Sequence, residues 1–248
     1  MSAIASEIER FNRLSASWWN PIGPMRPLHV VNALRLQLVL ARLEAHFKLA
    51  PGGSLAGLRI LDVGCGGGLL AEPLAKRGAQ VVGVDASPGN VAAAQRHAAG
   101  LRLEDRLEYR LGEVTQVLRP QERFDLVLAL EVVEHVEDVP AFMASVAQRL
   151  APGGLLMAST IDRSWKSFLF AIVGAEYLLR VLPRGTHQWR RFVRPSELRA
   201  EAERAGLQTL ELRGMRYLPV LHRASWCRDT RVNYHVTFAC PLARLTQA

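Results

Sequence analysis

Leu58-Arg59-Ile60-Leu61-Asp62-Val63-Gly64-Cys65-Gly66-Gly67-Gly68 is the stretch on which the reading of this chain turns. Its first half is a short apolar run of the kind that forms a buried parallel strand. Its second half is rich in glycine, which lets backbone N–H groups come close to a ligand at the carboxyl end of that strand. Leu69 to Arg77 then reads as a helix closed by Gly78, and Gln80 to Val84 as a second strand that ends on Asp85. The spacing is D-x-G-x-G-x-G through Asp62, Gly64, Gly66 and Gly68. No Lys or Ser/Thr closes the loop as a phosphate cradle requires, and the dinucleotide form G-x-G-x-x-G fails because Leu69 takes its sixth place. A carboxylate at Asp85 suits the two hydroxyls of a ribose.

The same rhythm continues downstream. Ser87-Pro88 places an N-cap and a first-turn proline before an alanine-rich helix that runs to about Ala99. Glu108 to Leu111 is a weaker third strand and Phe124 to Leu130 a strong fourth. Val139 to Leu150 is a helix stopped by Pro152-Gly153-Gly154, and Leu155 to Thr160 a fifth strand. Strands alternating with helices predict an α/β fold: a doubly wound, mostly parallel, seven-stranded sheet with right-handed crossovers. Upstream, residues 1–28 read as turns, and His29 to Phe47 as a helix, so that 1–50 form an N-terminal helical cap. Downstream, an apolar and basic insertion occupies 161–194. A helix at Pro195 to Ala205 and strands near Leu207–Arg213 and Val232–Ala239 complete one domain over 1–248.

Composition excludes several classes. At 248 residues with 49% hydrophobic and 22% charged residues, the chain buries a sizeable core and is neither disordered nor fibrous. Cys65, Cys227 and Cys240 are an odd count with no C-x-x-C spacing, which points to a reducing cytosol and away from a disulfide framework. Met1 to Arg10 carries Glu7 and Glu9 and no apolar core, so no secretory signal is expected. The formal charge of +8 is one-sided. Residues 1–160 hold 16 basic and 16 acidic groups, whereas 161–248 hold 15 and 7. An excess of this kind predicts an anionic partner.

Beyond the glycine loop, Trp18-Trp19-Asn20-Pro21, Arg26-Pro27-Leu28-His29, Glu131-Val132-Val133-Glu134-His135-Val136, Ser159-Thr160-Ile161-Asp162-Arg163, Gly174 to His187 and Val232-Asn233-Tyr234 stand in order. The glycine loop with Asp85 resembles the class I S-adenosylmethionine-dependent methyltransferases. With these flanks the whole chain resembles the ubiquinone-biosynthesis O-methyltransferases, which methylate a polyprenyl catechol and a demethylubiquinol. Asn20, Met25-Arg26, Ala33 and the stretch from His222 to Arg231 depart from the family pattern. The resemblance implies S-adenosylmethionine as cofactor. Arg35 would pair with its methionyl carboxylate, Gly64, Gly66 and Gly68 would line it, Asp85 would hold the ribose and Leu130 would contact the adenine and sulfonium. Glu113 is a weaker candidate for the adenine amino group, or a surface carboxylate. The resemblance also implies a polyprenylated phenol or quinol substrate, other ubiquinone-biosynthesis enzymes as partners, and a cytoplasmic enzyme on the inner membrane.

Methyl transfer to a phenol needs the hydroxyl close to its ionised form, through a general base or a metal. Glu131, Glu134 and His135 follow the fourth strand at i, i+3 and i+4, which places them on one face if that turn is helical. They are candidates for catalysis and, as an oxygen-rich set, for holding Mg²⁺; ordering of the loop is the plainer role. Residues 163–194 predict docking on an anionic membrane: 13 of the 18 residues from Trp165 to Leu182 are apolar, and arginines flank them. The alternatives are a methyltransferase of another small molecule and, suggested by the pI of about 10.1, one of nucleic acid. Against nucleic acid, Leu130-Glu131-Val132-Val133 lacks the Asn/Asp-Pro-Pro-aromatic grip on a base amino group. A regulatory module that binds the cofactor without catalysis would leave Glu131, Glu134 and His135 without a purpose.

Overall fold

The computed structural model describes residues 5–164 and 191–242. In chain order the strands are β1 Arg59–Val63, β2 Gln80–Asp85, β3 Leu107–Leu111, β4 Phe124–Leu130, β5 Leu150–Ile161, β6 Gln208–Leu218, β7 Arg223–Cys227 and β8 Asn233–Ala239. The helices are α1 Ala5–Leu14, α2 Arg26–His46, α3 Ala71–Lys76, α4 Pro88–Ala98, α5 Val114–Val117, α6 Val139–Ala147 and α7 Pro195–Arg204, with 3₁₀ turns at Ser15–Ser17 and Val133–His135. One sheet holds all eight strands in the order β3-β2-β1-β4-β5-β8-β6-β7. The first five run parallel, and β8 is antiparallel to both β5 and β6. The order reverses between β1 and β4, which opens a crevice at their carboxyl ends.

Apolar strands packed on both faces explain the layering. Val63, Val84, Val127 and Leu156 meet Phe142 and Met143 of α6 and Leu198 of α7 on one face. Ile60, Val81, Leu126 and Met157 meet Leu38 and Val39 of α2, Leu74 of α3 and Ala94 of α4 on the other. Ser87 caps α4 as expected, its hydroxyl accepting from Asn90 N–H at 3.2 Å, with Pro88 in the first turn.

The sheet has eight strands, one more than the sequence pattern predicts. The extra strand is β7, a half-exposed edge strand in the stretch that departs from the family pattern. Residues 5–28 are likewise more ordered than a run of turns: α1 lies over α4, where Asn12 Oδ1 accepts from Gly89 N–H at 2.8 Å and from the Ser87 hydroxyl at 2.6 Å. Pro152-Gly153-Gly154 does not separate α6 from β5. It forms a bulge inside β5, since Leu150 already pairs with Phe124 and the register shifts before Leu126. The apolar stretch over 165–182 lies outside the described residues.

Candidate active site

A cavity of about 260 Å³ lies in the crevice at the carboxyl ends of β1, β2 and β4. Arg35, Gly64, Gly66, Asp85, Glu113, Leu130, Glu131 and His135 all line it, which brings eight residues from five separate chain segments to one volume. Gly68 and Glu134 do not line it. Gly68 backs onto Tyr109, whose hydroxyl stands 2.1 Å from where a β-carbon would be, so its bareness serves packing.

The glycine loop is held from both sides. Gly64, Gly66 and Gly68 all have positive φ, the left-handed region glycine enters freely. Asp85 Oδ2 accepts from Gly66 N–H at 2.9 Å, and Oδ1 accepts from Ser87 N–H at 2.8 Å and Asn90 Nδ2 at 3.2 Å. Burial raises the Asp85 carboxyl, and these three donors oppose the rise. Beside it, burial and the charge of Asp85 push Asp62 up to about 7. From above, the Trp18 indole presses on Gly66 and Gly67, where a β-carbon would come within 2.4 and 2.5 Å of the ring. Trp18 Nε1 donates to Asn90 Oδ1 at 2.8 Å. Trp19 Nε1 donates to Gly67 O at 2.9 Å while its ring stacks on His97 at 3.5 Å. His97 in turn meets the buried Glu72 at 2.8 Å. This clasp was not foreseen; the paired tryptophans ahead of the first long helix were its visible signal. Cys65 is buried with its thiol held well above the ordinary range by burial and by Asp85, which fits a packing residue.

At the other wall, Arg35 is 2% exposed, so it is not a solvated charge on α2. Its guanidinium donates to Glu131 and, from Nη2 and Nη1, to Ser159 Oγ at 3.1 Å and Asn32 Oδ1 at 3.2 Å. Arg35 Nε is buried and has no hydrogen-bond partner. Glu131 sits at φ +57, an uncommon conformation for a side chain of this kind and a cost that functional sites often carry. Burial would raise its carboxyl, but Arg35 and the Ser159 hydroxyl, which donates at 2.8 Å, bring it below the ordinary value. Glu134 behaves oppositely: burial and the neighbouring Glu131 charge push it up to about 7, although Thr160 Oγ1 donates to it at 2.7 Å.

The expected single helical face does not form, because Glu131 is left-handed and the helical turn begins only at Val133. Among the described residues no three His, Cys, Asp or Glu side chains gather as a metal site. The donor chemistry of Glu131, Glu134 and His135 suits a hard cation. Their arrangement does not, with Glu131 turned to Arg35 and Ser159 and Glu134 to Thr160.

A methyltransferase-domain family model matches residues 33–212. The chain is 51% identical to the ubiquinone biosynthesis O-methyltransferase of Azorhizobium caulinodans, over 92% of this chain and 90% of that one. It is 47% identical to the protein of the same name from Brucella anthropi, over 94% of each. In fold it is similar to the magnesium protoporphyrin IX methyltransferase of Synechocystis (TM-score 0.65, 20% identity, 95% and 94% of the two chains). It is also similar to an N-methyltransferase of Bradyrhizobium japonicum (TM-score 0.58, 18% identity, 95% and 97%). At such identity over nearly the full length of both chains, the protein belongs to the ubiquinone biosynthesis O-methyltransferases, S-adenosylmethionine-dependent enzymes of the class I methyltransferase fold.

Proposed function

We propose that the enzyme transfers the methyl group of S-adenosylmethionine to a phenolic oxygen of a polyprenyl catechol and of a demethylubiquinol. The observation that carries this is the one cavity shared by the glycine loop, Asp85, Arg35 and His135. S-adenosylmethionine, when bound, supplies an activated methyl on sulfur, and its features match the lining. Asp85 accepts from the ribose hydroxyls, the backbone of Gly64 and Gly66 lies against the amino-acid end, and Arg35 offers its unpartnered Nε to the carboxylate. Leu130 contributes apolar surface. Transfer to the phenol oxygen would leave the bonding electron pair on sulfur, and His135 would take up the phenol proton. The Glu131 carboxylate carries the negative charge that favours the imidazolium so formed. A divalent cation on Glu131, Glu134 and His135 is the second reading. What favours it is the chemistry of two neighbouring carboxylates and an imidazole, a set that suits a hard cation once the hydrogen bonds of Glu131 to Arg35 and Ser159 and of Glu134 to Thr160 give way.

The test is incubation of the purified protein with methyl-labelled S-adenosylmethionine and a short-chain demethylubiquinol, with and without EDTA. Label on the quinol in both arms supports His135 as base. Turnover abolished by EDTA and restored by Mg²⁺ supports the second reading, and no label in either arm overturns both.

We further infer that residues 163–194 dock the enzyme at the cytoplasmic face of an anionic membrane, where a prenylated substrate resides. No described helix is long and apolar enough to cross a bilayer. The support is the basic, apolar composition of the segment, although Arg163 is already paired with Glu197. Loss of binding to phosphatidylglycerol vesicles on deleting 165–182 is the expected result, and unchanged binding contradicts it.

A further inference from the structure

The hairpin that joins β6 to β7 presents Leu218-Pro219-Val220-Leu221, and Val220 is 83% exposed, Leu221 62% and Leu218 42%. Tight turns are usually polar, because their side chains stand in water. This one is apolar yet held in shape. Tyr217 Oη and His222 Nδ1 are hydrogen-bonded at 2.8 Å across its base, Pro219 stiffens it, and His222 takes a φ of +45 to close it. The three apolar side chains are thus held outward by a built turn. Arg216 and Arg223 stand exposed on its two strands, and no Asp or Glu occurs between Glu211 and Asp229. Arg26, at the start of α2, is exposed as well and near enough to Tyr217 to act on its phenol electrostatically.

Strand direction sets where the turn lies. Ile161 pairs with Asn233 and Asn233 with Met215, both antiparallel, so β6 runs in the direction of β5 and leaves the sheet at the same edge. Leu218 stands three residues past Met215, about 10 Å further out at the rise of a strand. The turn therefore projects from the edge that bears the cavity mouth and from which Arg163 leads into the basic insertion.

We propose that Leu218, Val220 and Leu221 insert into the interface of an anionic bilayer, with Arg216, Arg223 and Arg26 against its headgroups, as a contact separate from residues 163–194. Apolar side chains ringed by cations, without an acid, complement lipid acyl chains under anionic headgroups. The inference rests on the membrane reading for its choice of occupant and is independent of the insertion for its geometry.

Two variants of the full chain test it. V220D/L221D is expected to lower partition onto phosphatidylglycerol/phosphatidylcholine vesicles about tenfold or more, while turnover of a short-chain, water-soluble quinol stays unchanged and reports a folded enzyme. In V220W the introduced indole is expected to be quenched by brominated phosphatidylglycerol vesicles and not by zwitterionic ones. Unchanged partition together with an unquenched indole overturns the proposal. A fall in oligomeric mass of V220D/L221D without loss of vesicle binding also overturns it, in favour of a second copy of the chain on this turn. Deletion of 165–182 reports on the insertion alone, so the two membrane contacts fail or stand separately.

Discussion

The two walls of the cavity are built on opposite plans. The wall at β1 and β2 is made mostly of backbone: glycines with positive φ, N–H groups gathered by Asp85, and an indole clasp across the loop. The wall at β4 and β5 is made of ionisable side chains, Arg35 and Glu131, backed by the buried Glu134, whose charges are settled against one another. A backbone wall shapes itself to a ligand that is always the same, as a cofactor is. A wall of coupled charges can exchange a proton, which is what the reaction asks of it. The difference teaches that substitutions on the two sides should separate into effects on binding and effects on turnover.

The largest expected effect is at Arg35. Arg35→Ala leaves Glu131 without its cation, beside Ser159 and Glu134, and breaking one partner of a fully buried pair costs about 3–5 kcal/mol, an upper bound for a carboxylate that is 29% exposed. Thermal unfolding should show it, and Arg35→Ala/Glu131→Gln should recover most of the loss. A melting temperature equal to that of the parent would mean that the two walls do not differ as described.

Next is Asp85. Asp85→Asn keeps the shape but removes the charge, and charge-assisted hydrogen bonds are worth about 1.5–3 kcal/mol each, so affinity for S-adenosylhomocysteine should fall at least about tenfold by calorimetric titration. Because the carboxylate also gathers Gly66, Ser87 and Asn90, a modest loss of stability accompanies it. Loss of stability with full affinity would leave Asp85 a loop clamp alone.

Gly66→Ala is smaller. Overpacking against Trp18 should cost about 1–3 kcal/mol, and a Trp18→Ala background should relieve the steric share while the cost of the left-handed backbone remains. Denaturant titration of the four proteins measures this. Additive costs would show that the clasp does not press on the loop.

The smallest effect is a pH slope. The folded Glu134 carboxyl lies at about 7 against an ordinary 4.5, so the folded state holds a proton that the unfolded chain releases. The stability tied to that proton is complete below about pH 4.5 and lost as pH rises through 7. Glu134→Gln should flatten the slope in that window. An unaltered slope would place the coupling elsewhere.

How much of this was legible depends on what each feature is made of. Strands β1, β2 and β4 are mostly apolar runs bounded by glycine or polar residues, so their limits are close to those read from sequence. The Ser87-Pro88 start of α4 carries its own cap and was equally plain. β7, Arg-Ala-Ser-Trp-Cys, is a half-exposed edge strand with no alternation to read, and α1 is a polar helix that owes its place to a tertiary contact through Asn12. In the site, Gly64, Gly66 and Asp85 could be found because motif and spacing name them, and Arg35 only through the family resemblance. The pairing of Arg35 with Glu131 could not, since they lie 96 residues apart and meet only after α2 has crossed the sheet. The helical face drawn through Glu131, Glu134 and His135 failed for a local reason, the left-handed Glu131, that no spacing rule contains.

The most direct test of the central claim, that the β4–β5 wall handles the phenol proton inside the cofactor's own cavity, is the initial-rate kinetics of His135→Ala. The measurement follows methyl transfer to a short-chain demethylubiquinol across a range of S-adenosylmethionine concentrations. Loss of a positioned base is expected to lower kcat about 10²-fold or more, while KM for S-adenosylmethionine stays within about threefold of the parent. A kcat equal to that of the parent, or a change confined to KM for the cofactor, would contradict the account.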